Sequence, residues 1–178
     1  MPHRRTQLAD AALAVVAAQG LKGLTHRAVD AQAGVAVGTT SNYFRNRAAL
    51  VGAAVDRVEE LDSLLLQQGT PERPTSTTAV AQQLAGAVMG LAQENAELTR
   101  ARFVFALDMP EVVAAGHERL VSALAQLLEA MGLTEPRARA EAVSDYSDGL
   151  VLHLLTARKG QDISTERVAE NIQRLLEA

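Results

Sequence analysis

The sequence contains no cysteine and no tryptophan, and only 3% of its 178 residues are aromatic. The absence of cysteine excludes a disulfide framework, a thiolate metal site and a cysteine nucleophile. Because 48% of the residues are hydrophobic but so few are aromatic, the core must consist mainly of alanine, valine and leucine. Such a core suits packed helices better than sheets, so the composition predicts an all-α protein of one or two compact units.

Long apolar runs are also missing, since none approaches the ~18 residues of a membrane span. Asp10 interrupts the apolar part of the N-terminal segment, so a signal peptide is not expected. There is no nucleophile elbow, P-loop, HExxH pair or glycine-rich nucleotide turn, which argues against common enzyme classes. We expect a cytoplasmic protein with no membrane partner, no catalytic residues, no bound metal and no cofactor.

The charges are distributed unevenly along the chain, although the net charge is only −4. Residues 1–50 contain six Lys and Arg but two Asp, a net charge of +4, whereas residues 51–178 carry −8. A basic end on an acidic remainder is expected when one end of a protein meets phosphate. Uneven surface charge without functional meaning is the alternative, because net charge does not by itself define a binding site.

The stretch from Leu24 to Leu50 has the signals of two short helices joined by a tight turn. Thr25 can cap the first helix with its hydroxyl, and Gly34 can end it through a positive φ angle. A second short helix is predicted at about Val37–Phe44, with small polar residues on its outer face. This arrangement is typical of a helix-turn-helix, whose second helix enters the DNA major groove.

The same stretch, LTHRAVDAQAGVAVGTTSNYFRNRAAL, resembles the DNA-binding segment of the TetR/AcrR family of transcriptional regulators. The resemblance rests on features in one register: Thr25-x-Arg27, Ala33-Gly34-Val35, Gly38-Thr39, Tyr43-Phe44 and Asn46-Arg47. With the predicted lead-in helix at Arg4–Gln19 it covers about the first third of the chain. It implies an all-α fold of about nine helices, with a three-helix DNA-binding domain at 1–46 and an effector-binding and dimerisation domain at 47–178.

The resemblance also implies which residues meet DNA. They are Thr25, Arg27, Val37, Gly38, Thr39, Ser41, Tyr43 and Arg47. Phe44 is expected to close the core of the three-helix unit instead. The basic residues at 3–5 either contact phosphate or the minor groove, or they form a frayed and solvated terminus.

Four features depart from the residues that most family members carry, namely Asp30 for Ala, Ala36 for Ser or Thr, Thr40-Ser41 for Leu-Tyr, and Arg47 for Lys. No operator sequence therefore follows by analogy. Ala36 lacks a capping oxygen, whose loss typically costs about 1 kcal/mol. Because a carboxylate near DNA repels phosphate, we expect Asp30 to pair with Arg27 or His26.

Apolar residues at helical spacing predict further helices at about 46–67, 76–95, 96–108, 111–131, 134–159 and 164–178. The segment Gly69–Pro74 ends the first of these and is the clearest loop in the chain. A proline in the first turn at Pro136 and a stop at Gly132 mark two of the other ends. No internal repeat or low-complexity tract is present.

An effector pocket in the body is implied by the resemblance. The candidate lining residues are Leu61, Leu65, Met89, Phe103, Leu107, Met109, His117 and Tyr146. The alternative is that Phe and Met at helical spacing are plain core, and that a lone His is a surface residue or a satisfied core residue.

The resemblance further implies that the last two helices pair with their symmetry mates as a four-helix dimer interface. The candidate contact residues are Leu150, His153, Leu154, Val168, Ile172 and Leu175. Two-fold symmetry matches a palindromic site, because one small head reads only a half-site. The alternative is that both apolar stripes pack within one chain.

These patterns predict a homodimeric, ligand-responsive DNA-binding regulator, most simply a repressor whose partners are double-stranded operator DNA and a small-molecule effector. An activator, or a regulator without a small ligand, is an alternative within the same class. A helical dimeric ligand-binding protein that has lost DNA recognition is an alternative from another class. An all-helical enzyme is the third hypothesis, which turnover of a bound ligand would reveal.

Overall fold

The computed structural model describes residues 2–67 and 74–178, with side chains for residues 3–64 and 74–178. Within these residues the chain forms nine α-helices and no strand, which confirms the predicted all-α class. The helices are α1 (Pro2–Gly23), α2 (His26–Gln32), α3 (Thr39–Tyr43), α4 (Arg47–Gln67), α5 (Thr77–Met89), α6 (Ala96–Asp108), α7 (Pro110–Ala130), α8 (Pro136–Leu155) and α9 (Thr165–Glu177). The predicted loop at Gly69–Pro74 lies outside the described residues except for Pro74.

Local sequence signals explain several helix ends. Helical geometry in α1 is interrupted at Gly20, whose φ of 66° is favourable for glycine, so the helix exit predicted there is confirmed. Ser76 caps α5 by accepting a hydrogen bond from the N–H of Ala79 at 3.2 Å. Ser164 caps α9 in the same way, accepting from the N–H of Arg167 at 3.3 Å.

The 3.6-residue period predicted an α-helix that reaches Asn95. Helix α5 does not continue that far as an α-helix. It changes at Gly90 into a π-helical turn, Gly90–Glu94. Asn95 ends this turn with its backbone N–H 2.9 Å, and its side-chain amide 3.2 Å, from the carbonyl oxygen of Gly90. Such wider turns are frequent at functional sites, but apolar periodicity does not reveal them.

One compact unit contains the described residues up to Asp62 together with Ala96–Ala114. Helix α6 packs along α1, and helices α2 to α4 contribute to the same apolar cluster. Its largest fully buried side chains are Phe44, Phe105, Leu8, Leu13, Leu24 and Leu50. Each such side chain stabilises the unit by roughly 1.5–3 kcal/mol before chain entropy is counted. A salt bridge of 2.7 Å between Arg57 and Asp10 joins α4 to α1.

The second compact unit contains the described residues of 63–95 and 115–178. Helix α9 packs mainly against α5 and also against α8. Its buried stripe consists of Val168, Ile172 and Leu176, whereas the flanking charged residues are exposed. On the surface, Arg137 of α8 forms an ion pair of 2.6 Å with Glu118 of α7. None of the helices in the described residues combines the length and the apolar character that crossing a bilayer requires.

Candidate nucleic-acid interface

The turn between α2 and α3 is built from one glycine and a set of backbone hydrogen bonds. Gly34 has a φ of 64°, a conformation that glycine adopts without the steric penalty of a Cβ atom. The N–H of Val35 returns to the carbonyl oxygen of Asp30 at 3.0 Å. Gln7 of α1 donates its side-chain amide to the carbonyl oxygen of Ala33 at 3.2 Å. The predicted helix-turn-helix is therefore present, and α1 supports its turn.

Helix α3 is shorter than the predicted segment 37–44, since it contains five residues. Gly38, with a φ of 92°, precedes the helix and has no side chain to cap it. At the other end Phe44 is extended, and its N–H donates to the carbonyl oxygen of Thr40 at 2.8 Å. The backbone conformations of Gly38 and Phe44 therefore set the two ends of α3.

Asp30 of α2 supplies the missing cap of α3. Its side chain is 1% exposed, and its carboxylate accepts hydrogen bonds from the N–H of Gly38 (2.7 Å), the N–H of Thr40 (2.7 Å) and the Thr40 hydroxyl (2.6 Å). Burial raises the pKa of Asp30, but these hydrogen bonds and the nearby His26 together hold that pKa below its ordinary value. The carboxylate was expected to pair with Arg27 or His26, but its hydrogen bonds go to α3, and His26 contributes only a favourable electrostatic interaction.

The C-terminal end of α3 is held by side chains from α1 and α2. Phe44 is buried, as predicted. Nε2 of His26 lies 2.6 Å from the carbonyl oxygen of Phe44, and it must carry the proton because a carbonyl only accepts. The guanidinium carbon of Arg5 lies 4.7 Å from the centroid of the Phe44 ring, a cation–π distance. Residues 3–5 are helical, so this basic segment is part of α1.

The outward face of α3 and its turn combines one apolar residue with small polar groups. Val37 is 83% exposed, the highest value among the large hydrophobic residues that the structure describes. Ser41 and Asn42 are exposed, and Tyr43 is half-buried. Thr40 is fully buried on the opposite face. Of the exposed residues, Asn42 was not among the predicted DNA contacts.

Two predicted contact residues already donate their hydroxyl hydrogens within the chain. Thr39 Oγ1 donates to the carbonyl oxygen of Ala36 at 2.6 Å. Ser41 Oγ donates to the carbonyl oxygen of Gly38 at 2.8 Å. In this arrangement the oxygen lone pairs remain available, so both side chains present acceptors to a ligand.

Thr25 and Arg27 lie at the start of α2. Thr25 caps this helix as predicted, accepting from the N–H of Ala28 at 3.1 Å. Arg27 is exposed and forms no ion pair with any residue that the structure describes. Its guanidinium is therefore available to an anion outside the chain.

Arg47 has structural partners that its sequence position did not reveal. Its guanidinium donates to the carbonyl oxygen of Leu24 and, at 2.7 Å, to that of Leu21. It therefore ties the start of α4 to the connection between α1 and α2. Asn46 caps α4, accepting from the N–H of Ala49 at 2.8 Å. Arg47 is exposed, so its charge still contributes to the surface potential.

The candidate pocket residues are distributed over both compact units. Leu61 and Met109 are partly buried against the apolar cluster of the first unit. Leu107 is 80% exposed, so it lines no enclosed space in this unit. In the second unit Met89 is buried and His117 is exposed.

The other pocket candidates are Tyr146, Phe103 and Leu65. The hydroxyl oxygen of Tyr146 accepts a hydrogen bond of 3.0 Å from the side-chain amide of Asn171, which joins α8 to α9. Phe103 is partly buried. The side chain of Leu65 lies outside the described residues.

The candidate dimer residues divide into exposed and covered positions. His153 is exposed, Leu154 and Leu175 are partly buried, and Leu150 is buried. Val168 and Ile172 are 0% exposed, since their own chain covers them. These two residues pack within their own chain, and the dimer interface itself stays a prediction.

Two family models match the chain. The model of the bacterial regulatory proteins of the tetR family matches residues 8–54. The model of the tetracyclin repressor-like C-terminal domain matches residues 75–178, which is more than half of the chain. The chain therefore belongs to the TetR family of bacterial transcriptional regulators, as the sequence pattern indicated. Its helix-turn-helix is the DNA-binding element of that class.

Solved structures of the same fold span nearly the whole chain. A TetR-family member from Streptomyces coelicolor A3 is 26% identical, with a TM-score of 0.74 and 97% of each chain covered. The multidrug-binding protein EbrR in complex with ethidium is 27% identical, with a TM-score of 0.69, covering 97% of this chain and 98% of EbrR.

A third structure, SmeT, is the repressor of the SmeDEF multidrug efflux pump of Stenotrophomonas maltophilia. It is 20% identical, with a TM-score of 0.73 and coverage of 97% of this chain and 87% of SmeT, which shows the shared fold alone. A comparison with curated proteins gave no significant match.

Proposed function

We propose that this protein is a homodimeric repressor that binds a palindromic operator and is released by a small-molecule effector. The observation that carries the DNA-binding part is the outward face of α3 and of the turn before it, where Val37 is 83% exposed and Ser41 and Asn42 are exposed as well. An exposed valine gains from removal of its surface from water. A helix-turn-helix presents this face to the major groove.

The chemistry of this face suggests which base edges it reads. Val37 suits the methyl group of thymine, the one apolar feature of the major groove. Thr39 and Ser41 present acceptor oxygens, which match the amino groups of adenine or cytosine. Gly38 has no side chain, so the backbone can approach the DNA closely. We therefore propose an operator half-site that combines thymine methyls with adenine or cytosine amino groups.

Phosphate contacts would come from the flanks of α3. Arg27 is exposed without an ion pair among the described residues, so it is the first candidate. Thr25 lies beside it at the start of α2, where backbone N–H groups suit an anion. Tyr43 can donate its hydroxyl to phosphate. Arg47 contributes charge, with the N–H groups that its two carbonyl partners leave free.

The dimer would form through the outward faces of α8 and α9. Leu152 is 41% exposed on α8 and lies next to the exposed His153, whereas the buried α9 stripe supports the interface from beneath. We therefore propose Leu152, His153 and Leu154 as contacts and keep Leu150 and Leu175 as neighbours. Two-fold pairing would place two heads on half-sites about 34–36 Å apart, or a multiple of that spacing.

The effector would bind in the domain that we place at 47–178, after a DNA-binding domain at 1–46. The similarity to EbrR, whose structures include an ethidium complex, supports a flat, hydrophobic cation as the effector class. Helix α4 begins at Arg47, directly after the DNA-binding domain. A ligand that shifts α4 would change the separation of the two heads and favour the free state.

Binding to the DNA upstream of the protein's own gene, measured by fluorescence anisotropy as a salt series, tests this proposal. We expect log affinity to fall linearly with log salt concentration, and Arg27→Ala and Tyr43→Ala to weaken binding. Lys159→Ala, which removes one exposed cation from the second unit, is the charge-matched control and should leave affinity unchanged.

The other outcomes of this experiment are equally informative. If the upstream fragment is not bound and selection from random duplexes returns no preferred site, the DNA-binding proposal is overturned. The helical ligand-binding dimer would then be the better account. Sedimentation as a monomer at micromolar concentration would contradict the dimer, and a thermal-shift screen without a stabilising ligand would contradict the effector.

A further inference from the structure

Helix α3 is too short to hold its own conformation. It contains five residues, whereas isolated helices below ~12–15 residues are marginal in water. Its N-cap residue is Gly38, and the two preceding residues, Ala36 and Val37, have no side-chain oxygen either. The backbone groups at both ends of α3 therefore need partners from another element.

Both sets of partners come from α2. At the start of α3, the Asp30 carboxylate accepts from the N–H groups of Gly38 and Thr40 at 2.7 Å each. At its end, the imidazole of His26 donates to the carbonyl oxygen of Phe44 at 2.6 Å. An anionic acceptor thus meets free N–H groups and a donor meets a free carbonyl, which is the favourable polarity at each end.

His26 and Asp30 are four residues apart on α2, so they lie on one face, one turn from each other. This face holds α3 at two points separated by the length of the helix, which restricts both its tilt and its rotation. The Thr40 hydroxyl, donating to Asp30 at 2.6 Å, adds a third hydrogen bond to this carboxylate on the buried side. Apolar packing alone is not directional, whereas these bonds require one position of α3.

We propose that His26 and Asp30 are positioning residues for DNA recognition, acting as a two-point clamp that orients the base-reading face of α3. The proposal rests on the DNA-binding function proposed above. Neither side chain needs to touch DNA, since Asp30 is buried and His26 bonds to the backbone of Phe44. The clamp also explains how the chain tolerates alanine at 36, because Asp30 replaces the local cap.

Amide hydrogen exchange of the free protein, followed residue by residue by NMR, tests the clamp without DNA. Asp30→Ala should speed exchange at the N–H groups of Gly38 and Thr40 by about tenfold or more, because their acceptor is lost. Asp56→Ala, which removes an exposed carboxylate from α4, is the matched control and should leave these rates unchanged. Equal exchange rates in wild type and Asp30→Ala would overturn the clamp.

DNA affinity of the same variants tests the positioning role, with a duplex recovered by selection from random sequence as the probe. Loss of one cap and its orientation predicts an affinity loss of about five- to tenfold for Asp30→Ala, measured well below the unfolding temperature. His26→Ala, which removes one hydrogen bond, should cause a smaller loss. Unchanged affinity in a folded Asp30→Ala protein would overturn the positioning role.

A second-site substitution separates positioning from general destabilisation. In the Asp30→Ala background, Ala36→Ser returns a local side-chain oxygen that can accept from the N–H two or three residues later, at Gly38 or Thr39. We expect Ala36→Ser to restore part of the lost affinity and of the lost exchange protection, and to change wild type little. Failure of Ala36→Ser to restore either quantity would contradict the capping role.

The Thr40 hydroxyl provides the last check. Thr40→Val keeps the shape of the side chain and removes its donor. Because the hydroxyl depends on the carboxylate, adding Thr40→Val to Asp30→Ala should cost no more than Asp30→Ala alone, and strictly additive losses would contradict the network. If wild type binds no selected duplex, the DNA-binding proposal fails, while the exchange data still decide the clamp.

Discussion

The contact that orients α3 and the contact that seats α9 have opposite chemistry. Helix α9 presents a fully buried apolar stripe to α5 and α8, with Ile172 at its centre. Helix α3 presents Thr40 to the buried carboxylate of Asp30, and both ends of α3 are bonded to α2. One element is held by removal of apolar area from water, and the other by directed hydrogen bonds.

The difference follows from what each helix has to do. Helix α9 has 13 residues and buries several large side chains, so apolar burial is the main contribution that seats it, with the Asn171–Tyr146 hydrogen bond beside it. Helix α3 has five residues and keeps one face free for a ligand, so little apolar area is available. A directed network compensates for the missing area and gives α3 one orientation. The network is sensitive to substitution, because a buried polar group that loses its hydrogen-bond partner destabilises the protein by about 1–3 kcal/mol.

The largest effect on stability is expected where α9 packs through its apolar stripe. Ile172→Ala removes a fully buried side chain and leaves a cavity, which predicts a loss of about 2–5 kcal/mol in the free energy of unfolding. Urea denaturation followed by circular dichroism measures this loss. Leu64→Ala, at a 46% exposed position on α4, is the control and should cost clearly less. Equal losses would show that α9 is not seated by its buried stripe.

Removal of the Asp30 carboxylate is expected to have the second-largest effect, a loss of about 1–3 kcal/mol in the free energy of unfolding. This loss should be concentrated in the first unit. The effect should depend on pH, because hydrogen bonds hold the pKa of Asp30 below its ordinary value. The stabilisation is then fully present above the unfolded pKa of ~3.9 and is lost as the pH falls through the lower folded pKa.

Urea denaturation of wild type and Asp30→Asn at pH 7 and at pH 3 measures that dependence. The difference in stability between the two proteins should be larger at pH 7 than at pH 3. A difference that grew as the pH fell would contradict the assignment of an ionised, hydrogen-bonded carboxylate.

Helix N-caps are expected to stabilise the two units equally, because each cap is the same local hydrogen bond from a backbone N–H to a side-chain hydroxyl. Thr25→Ala removes the cap of α2 and Ser164→Ala the cap of α9, and each should cost about 1 kcal/mol. Thermal unfolding of the two variants beside Thr165→Ala, which removes an exposed hydroxyl next to a cap, measures this. A cost for Thr165→Ala as large as that for Ser164→Ala would argue against capping at α9.

The smallest effect is expected at the exposed ion pair between α7 and α8. The hydrogen bond from Arg137, followed by that from Ser122, lowers the pKa of Glu118 to about 2. Arg137→Ala should return the pKa of Glu118 towards its usual range, as seen in an NMR titration of the carboxyl carbon. Stability should change little, since exposed ion pairs contribute little in water. A large stability loss would show that this pair is a structural link.

Residues whose effect is local could be predicted from the sequence. The cap at Thr25 and the turn at Gly34 were predicted because each depends on groups within three or four residues. The buried position of Phe44 followed from the helix-turn-helix register. The all-α class followed from composition and periodicity.

Residues whose partners are distant in sequence could not be predicted. Asp30 was expected to pair one turn away on its own helix, but the φ angles of the turn glycines bring α3 over its carboxylate. Arg47 was predicted to meet DNA, but its partners within the chain are the carbonyl oxygens of Leu21, in the last turn of α1, and Leu24, just after it. The apolar stripe on α9 could be predicted from its helical spacing, but this spacing does not say which element covers the stripe.

The most direct test of the central claim, that the face of α3 reads DNA as a pair of heads, is selection of random duplexes by the purified protein. We predict an enriched palindrome whose half-sites are separated by about one helical turn or a multiple of it. Val37→Ala should weaken binding to that palindrome. Enrichment of no sequence above background, or of a single unrepeated half-site, would contradict the account.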